Sequence, residues 1–132
     1  MDDAALRALT DWVWGVLGVP TEYGEFPGPA PCAMVKVSPG EAVVRRYRSG
    51  GGVYRLPYEV YLKVPASTEG QRIGGVAALG LLSAAARRGE HPDLGALVEA
   101  HEVRSAPALY AEDGGADSVY QFLGELRYVI RS

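Results

Sequence analysis

Cysteine is almost absent from this chain of 132 residues: Cys32 stands alone, so neither an intramolecular disulfide nor a cysteine-based zinc cluster can form. That usage fits a reducing compartment and makes Cys32 a small buried residue. A basic excess is missing too, since 13 Lys and Arg against 16 Asp and Glu give a net charge of −3 and a pI near 5.4. Proteins that coat nucleic acid carry a clear positive surplus. Histidine occurs only as His91 and His101, with no HExxH, H-x-E or cysteine partner, so no metal site is expected and both read as surface residues. The longest apolar run, Ile73 to Leu82, contains Gly74, Gly75 and Gly80. It falls well short of the roughly 20 apolar residues needed to cross a bilayer. Asp2 and Asp3 stand where an export signal would carry positive charge, so neither a signal peptide nor membrane association is expected. Internal repeats and low-complexity tracts are lacking as well.

What is present suits one domain over residues 1–132 with one core, at 48% hydrophobic content. Its organising stretch is Glu41 to Val64, where Val- and Tyr-rich arms flank Ser49-Gly50-Gly51-Gly52, and the glycines allow the chain to reverse as a β-hairpin. In the second arm Tyr54, Leu56, Tyr58, Val60, Leu62 and Val64 share a face, opposite Arg55, Pro57, Glu59 and Lys63, with Tyr61 the exception. Pro57 cannot donate to a ladder and places its segment at an edge or a bulge.

Residues 2 to 17 have helical spacing (Leu6, Leu9, Val13, Val16, Leu17) and stop at Gly18 and Pro20, with one of Trp12 and Trp14 outside the apolar stripe. The stretch from Val19 to Pro31 reads as a loop, and Cys32 to Val37 as a short strand. Thr68 and Gln71 form a capping-box pattern that opens a second helix, which closes at Arg87, Arg88 and Gly89. That helix is apolar around most of its girth, with Ile73, Val76, Leu81 and Ala84 on one side and Leu79, Leu82 and Ala86 on another. So little polar surface asks for burial on more than one side, by the first helix or by a neighbouring subunit. Leu97 to Ser105 and the alternating run from Tyr120 to Arg131 supply two more strands, separated by the acidic reversal AEDGGAD, which reads as a solvated turn. The expectation is an α+β fold in the order α-β-β-β-α-β-β, with a mostly antiparallel sheet of about five strands and both helices on one face. The other face carries Arg55, Glu59, Lys63, Gln121, Glu125 and Arg127 as a mixed-charge surface.

Chemical motifs are sparse. Neither G-x-G-x-x-G after a strand, a P-loop, a calcium loop nor a nucleophile elbow occurs, and Ser105, His101 and Asp93 make a triad only on paper. Catalytic, cofactor and metal residues are therefore not assigned. The candidate protein interface is Arg45, Arg46, Arg48 and Arg55, crowded at the hairpin tip, together with Ile73, Leu79 and Leu82 on the second helix. Arginine suits either a protein partner or phosphates, and the bland reading of the tip is a solvated hairpin end.

The chain resembles small tail-terminator or minor capsid proteins of the head–tail region in bacteriophage and prophage genomes. The resemblance rests on VVRRYRSGGG (43–52), the alternating strand after it, PDLG (92–95) and LYAEDGGADSVYQFLGELRYV (109–129). It runs from about Thr21 to the C-terminus. The departures are Val64-Pro-Ala-Ser-Thr-Glu-Gly and LLSAAARR, where similar proteins carry an acidic, aromatic stretch and a bulkier second helix. The resemblance implies a non-enzymatic virion protein at the head–tail junction, made in the bacterial cytoplasm. It would form a ring, usually of six copies, that caps the tail tube and meets a head or neck connector. Its partners would be its own copies, the tail-tube protein and the connector, with DNA only in transit and no cofactor. The alternatives are a small α+β enzyme or ligand-binding domain with a pocket between the second helix and the sheet, and an adaptor that binds a partner strand beside Pro57.

Overall fold

In the computed structural model, which describes residues 3–39, 42–113 and 116–131, the glycine run after Ser49 reverses the chain. Gly50 and Gly51 have φ of 90° and 71°, and a Cβ on Gly51 would collide with the Ile130 carbonyl. The elements are α1 (Asp3–Leu17), β1 (Thr21–Tyr23), β2 (Cys32–Val37), β3 (Val43–Arg46), β4 (Gly52–Pro65), α2 (Glu69–Arg87), β5 (Leu97–Asp113) and β6 (Asp117–Ile130). They form one sheet in the order β1-β2-β4-β6-β5, with β3 paired to β4. The protein is thus α+β, and its mixed sheet of six strands is mostly antiparallel as expected, with one strand more than the five or so that the sequence indicates. The pair β1–β2 is parallel and the remaining pairs are antiparallel.

The extra strand comes from the stretch that reads as a loop. Three residues are too few to show alternation, so β1 is held by tertiary context: Ala33 donates to the Pro20 carbonyl and Gly24 to the Val35 carbonyl, both at 2.8 Å. Strand β5 is longer than its sequence pattern indicates. Its register slips at several points between Val98 and Ala111, and each slip breaks the period that would have marked it.

The expected edge position of Pro57 is also corrected, because β4 is the central strand, flanked by β6 along its whole length and by β2 and β3 on the other side. Pro57 is tolerated there because β2 ends opposite Tyr58 and β3 begins opposite Tyr54. Its carbonyl accepts from Ser38 N at 2.9 Å on that side, and the side on which its amide would have pointed is the same gap between strands. Among the described residues, β4 has neighbours on both sides and is not an edge strand.

The alternating arm behaves as expected. Leu56, Tyr58, Val60 and Leu62 enter one buried cluster with Ala33 and Val35 of β2 and with Phe122 and Leu126 of β6. Leu9 and Val13 from α1 and Leu79 and Leu82 from α2 cover that face of the sheet. The first helix ends at Gly18 (φ 71°), and the second begins at a complete Thr68–Gln71 capping box. Trp12 packs against the core, whereas Trp14 is exposed. Cys32 is buried. Among the described residues no helix is long and apolar enough to cross a membrane.

Candidate interaction surfaces

The antiparallel register sorts the candidate residues by place. Arg46 lies opposite Gly52, Gly52 opposite Ile130, and Leu97 opposite Val129, so these positions form one end of the sheet. Arg45, Arg46 and Arg48 are exposed there, and the Arg45 guanidinium lies 5.5 Å from the centre of the Tyr47 ring, in cation–π range. Arg55 does not belong to the tip. It sits within β4 opposite Arg127, half-buried, and its Nε has no hydrogen-bond partner. Arg131 takes its place, because its Cα would lie 3.2 Å from a Cβ on Gly51. Only the pairing of β4 with β6 reveals that neighbour.

The second helix is divided. Leu79 and Leu82 are 0% exposed and belong to the core, which removes them from the candidate interface. Its outer side carries Ile73 and Leu81, 61% and 51% exposed, with Ala77 between them at helical i, i+4, i+8 spacing. Val76 adds to this side. The interval between α2 and the sheet is filled: besides the two leucines, a Cβ on Gly75 would meet the Tyr120 ring at 2.7 Å and Val64 at 2.9 Å. An open groove remains at the start of the helix, lined by Glu69, Arg72, Ile73, Val76, Ala77 and Tyr120.

On the opposite face of the sheet, the expected mixed-charge surface is a set of linked pairs. Tyr61 donates to Glu59 at 2.5 Å and accepts from Gln121 at 3.0 Å, and the Tyr110 ring meets it edge-on. Burial, reinforced by Glu59, pushes the Tyr61 hydroxyl up to about 12. Glu125 is buried and accepts from Arg104 at 3.4 Å and Arg127 at 3.3 Å. Removing a carboxylate from water in this way requires such partners.

The histidines differ from expectation in one case. His101 is half-buried between Trp12 and Tyr58 instead of solvated. Its Nδ1–H donates to the Glu90 carbonyl at 2.7 Å, so Nε2 accepts from the Tyr58 hydroxyl at 2.5 Å. Burial holds its pKa below the ordinary histidine value, opposed in part by the Glu90 carbonyl. The paper triad is not assembled: Asp93 accepts from Gly95 N, and Ser105 donates to the Ala106 carbonyl. Among the described residues no cluster of three or more His, Cys, Asp or Glu could hold a metal ion.

Taken as a class, this is a single-sheet α+β domain with two chemically different exposed surfaces, one apolar on α2 and one cationic at the hairpin end. No protein-family profile and no curated protein matches the chain. A solved structure whose name carries no functional description aligns over 100% of this chain and 98% of its own, at 18% identity and a TM-score of 0.44. A likeness that loose informs neither fold nor function.

Proposed function

We propose that this chain is a ring-forming structural subunit of a phage or prophage virion, which terminates the tail tube and joins it to the head or neck. The observation that carries the reading is the outer side of α2. Isoleucine and leucine stand more than half exposed on a helix whose other side is fully buried, a pattern that marks a contact surface. A ring needs a heterologous contact, made by two different patches on every subunit. The α2 surface and the arginine end are two such patches. The partners are further copies of the chain, the tail-tube protein and a head or neck connector, and the place of action is the head–tail junction of the virion. A slightly acidic subunit suits a conduit, since each phosphate neutralised by Lys or Arg would add affinity for the passing DNA.

The test mixes the purified chain with polymerised tail-tube protein from the same genome, followed by negative-stain imaging. Tubes of fixed length that end in a ring support the proposal. Tubes of unchanged length with bare ends overturn it.

A further inference from the structure

The sheet has two edges, β5 and β1, and they are built differently. Along β5 the register slips repeatedly between Val98 and Ala111, and Pro107 has no amide hydrogen, so no long regular run faces outward. The β1 edge is short but regular. Thr21 lies opposite Ala33 and Tyr23 opposite Val35, while Ala33 donates to the Pro20 carbonyl and Gly24 to the Val35 carbonyl, both at 2.8 Å. In a parallel ladder this pattern commits Pro20, Glu22 and Gly24 to the β2 side. The N–H and C=O groups of Thr21 and Tyr23 consequently turn to the open side, where no strand lies.

Beside that edge runs α1, anchored in the core by Ala5, Leu9 and Val13. The side of α1 that carries Leu6, Arg7 and Thr10 forms, with β1, a groove of about 410 Å³, within the range of about 300–1,000 Å³ usual for binding sites. Leu6 is half-buried, and the Thr10 hydroxyl is already bonded to the Leu6 carbonyl at 2.9 Å. Tyr23 is 43% exposed at the rim, where its hydroxyl accepts from Val37 N at 3.3 Å. The charged members are Asp3, Asp11 and Glu22 against Arg7, all exposed. Among the described residues none of the four is ion-paired, so the groove keeps a negative surplus after Arg7 is counted.

We infer that this groove takes an extended, basic segment of a partner protein, which adds as a strand to the open side of β1 and lies against α1. Main-chain bonds to Thr21 and Tyr23 hold it, and pockets for its alternate side chains select it. Successive side chains of a strand point to opposite faces. One set therefore meets α1, with an aliphatic side chain over Leu6 and a cation beside it at Asp3 or Asp11. The other set lies on the face of Glu22, which points away from Thr21 and Tyr23. An acidic segment would face three carboxylates instead. Two open residues are too few to hold a strand alone, so binding needs the α1 wall and the charge match that it imposes. The occupant is a partner unlike this chain, and the contact requires neither a ring nor a tail tube.

The probe is the peptide acetyl-Lys-Lys-Val-Lys-Lys-amide, titrated into the isotope-labelled full chain at low salt while backbone amide resonances are followed. Saturable shifts centred on Thr21, Tyr23 and the Leu6–Asp11 side of α1 are expected. The same peptide with glutamate in place of lysine, and a version with N-methylated amides that keeps the charge but cannot donate to a strand, should each bind at least about tenfold more weakly, since one loses the charge match and the other the main-chain bonds. Asp11→Asn with Glu22→Gln, at two exposed positions, should weaken binding roughly three- to tenfold, as expected for two surface charge pairs. Circular dichroism and thermal melting establish that this variant folds, and the N-methylated peptide tests the pairing on the wild type alone. Absence of saturable binding overturns the inference. So does an N-methylated or glutamate peptide that binds as tightly, a folded double variant with unchanged affinity, or shifts centred on the α2 groove or the β5 edge.

Discussion

The Tyr58 hydroxyl reaches His101 Nε2 at 2.5 Å from two strands away, β4 to β5, across the intervening β6. With Nδ1–H committed to the Glu90 carbonyl, Nε2 of the neutral ring accepts the Tyr58 hydroxyl proton. Burial lowers the His101 pKa in the folded chain, whereas in the unfolded chain it titrates near its ordinary value of about 6.5. The unfolded state therefore binds the proton first as pH falls. Stability from this site is complete above about pH 6.5 and declines below it, by at most about 1.4 kcal/mol per pH unit for one proton. Unfolding midpoints of the wild type and of His101→Gln between pH 5 and 7.5 should show a steeper fall in the wild type, and parallel curves would refute the assignment.

Gly124 makes that reach possible. It lies opposite Tyr58 in the β4–β6 register, and a Cβ there would sit 2.5 Å from the tyrosine Cζ and Oη atoms. Gly124→Ala should therefore displace the ring, with an overpacking cost of about 1–3 kcal/mol. The His101 contact would be lost with it. Tyr58→Phe keeps the ring and leaves Nε2 unpaired, at about 1–3 kcal/mol. Urea unfolding of the two single variants and of the double should show strong non-additivity, because both act on one contact. Simple addition would count against a shared origin.

These two residues also mark what the sequence can and cannot reveal. The strands with clean alternation, β4 and β6, and the helix with a capping box, α2, are legible because local pattern and tertiary environment agree. Thr21 to Tyr23 is not, since its strand exists only through its pairing with β2. His101 looks solvent-exposed in the sequence because the groups that enclose it, Trp12, Tyr58 and the Glu90 carbonyl, are distant along the chain or lie in the backbone. Likewise the apolar girth of α2 is visible in the residues, but which leucines it hides depends on where the sheet lies.

Leu81 and Leu82 turn that last point into a measurement. They are adjacent in α2, yet one is 51% exposed and the other fully buried. Leu82→Ala should cost about 2–5 kcal/mol of stability through the cavity it leaves. Leu81→Ser should change stability little, as surface substitutions usually do, within about 0.5 kcal/mol, while weakening the proposed ring on tail tubes. Calorimetry of the purified chain and imaging of tube ends separate the two effects. A Leu81→Ser variant that melts far below the wild type would place that side chain in the core instead.

Glu125 offers an asymmetric test on the opposite face of the sheet. Its side chain is 5% exposed, whereas its partners Arg104 and Arg127 are 54% and 35% exposed. If the carboxylate is neutralised by Glu125→Gln, both guanidinium groups can turn to water, and the loss should stay near the cost of one charged hydrogen bond, about 1.5–3 kcal/mol. If both arginines are removed together, an unpaired carboxylate stays buried, and the expected loss is about 3–5 kcal/mol at pH 7. Denaturant titrations of the Arg104→Ala/Arg127→Ala variant and of Glu125→Gln at pH 7 read this directly, and equal deficits in the two variants would mean that Glu125 reaches water without its partners.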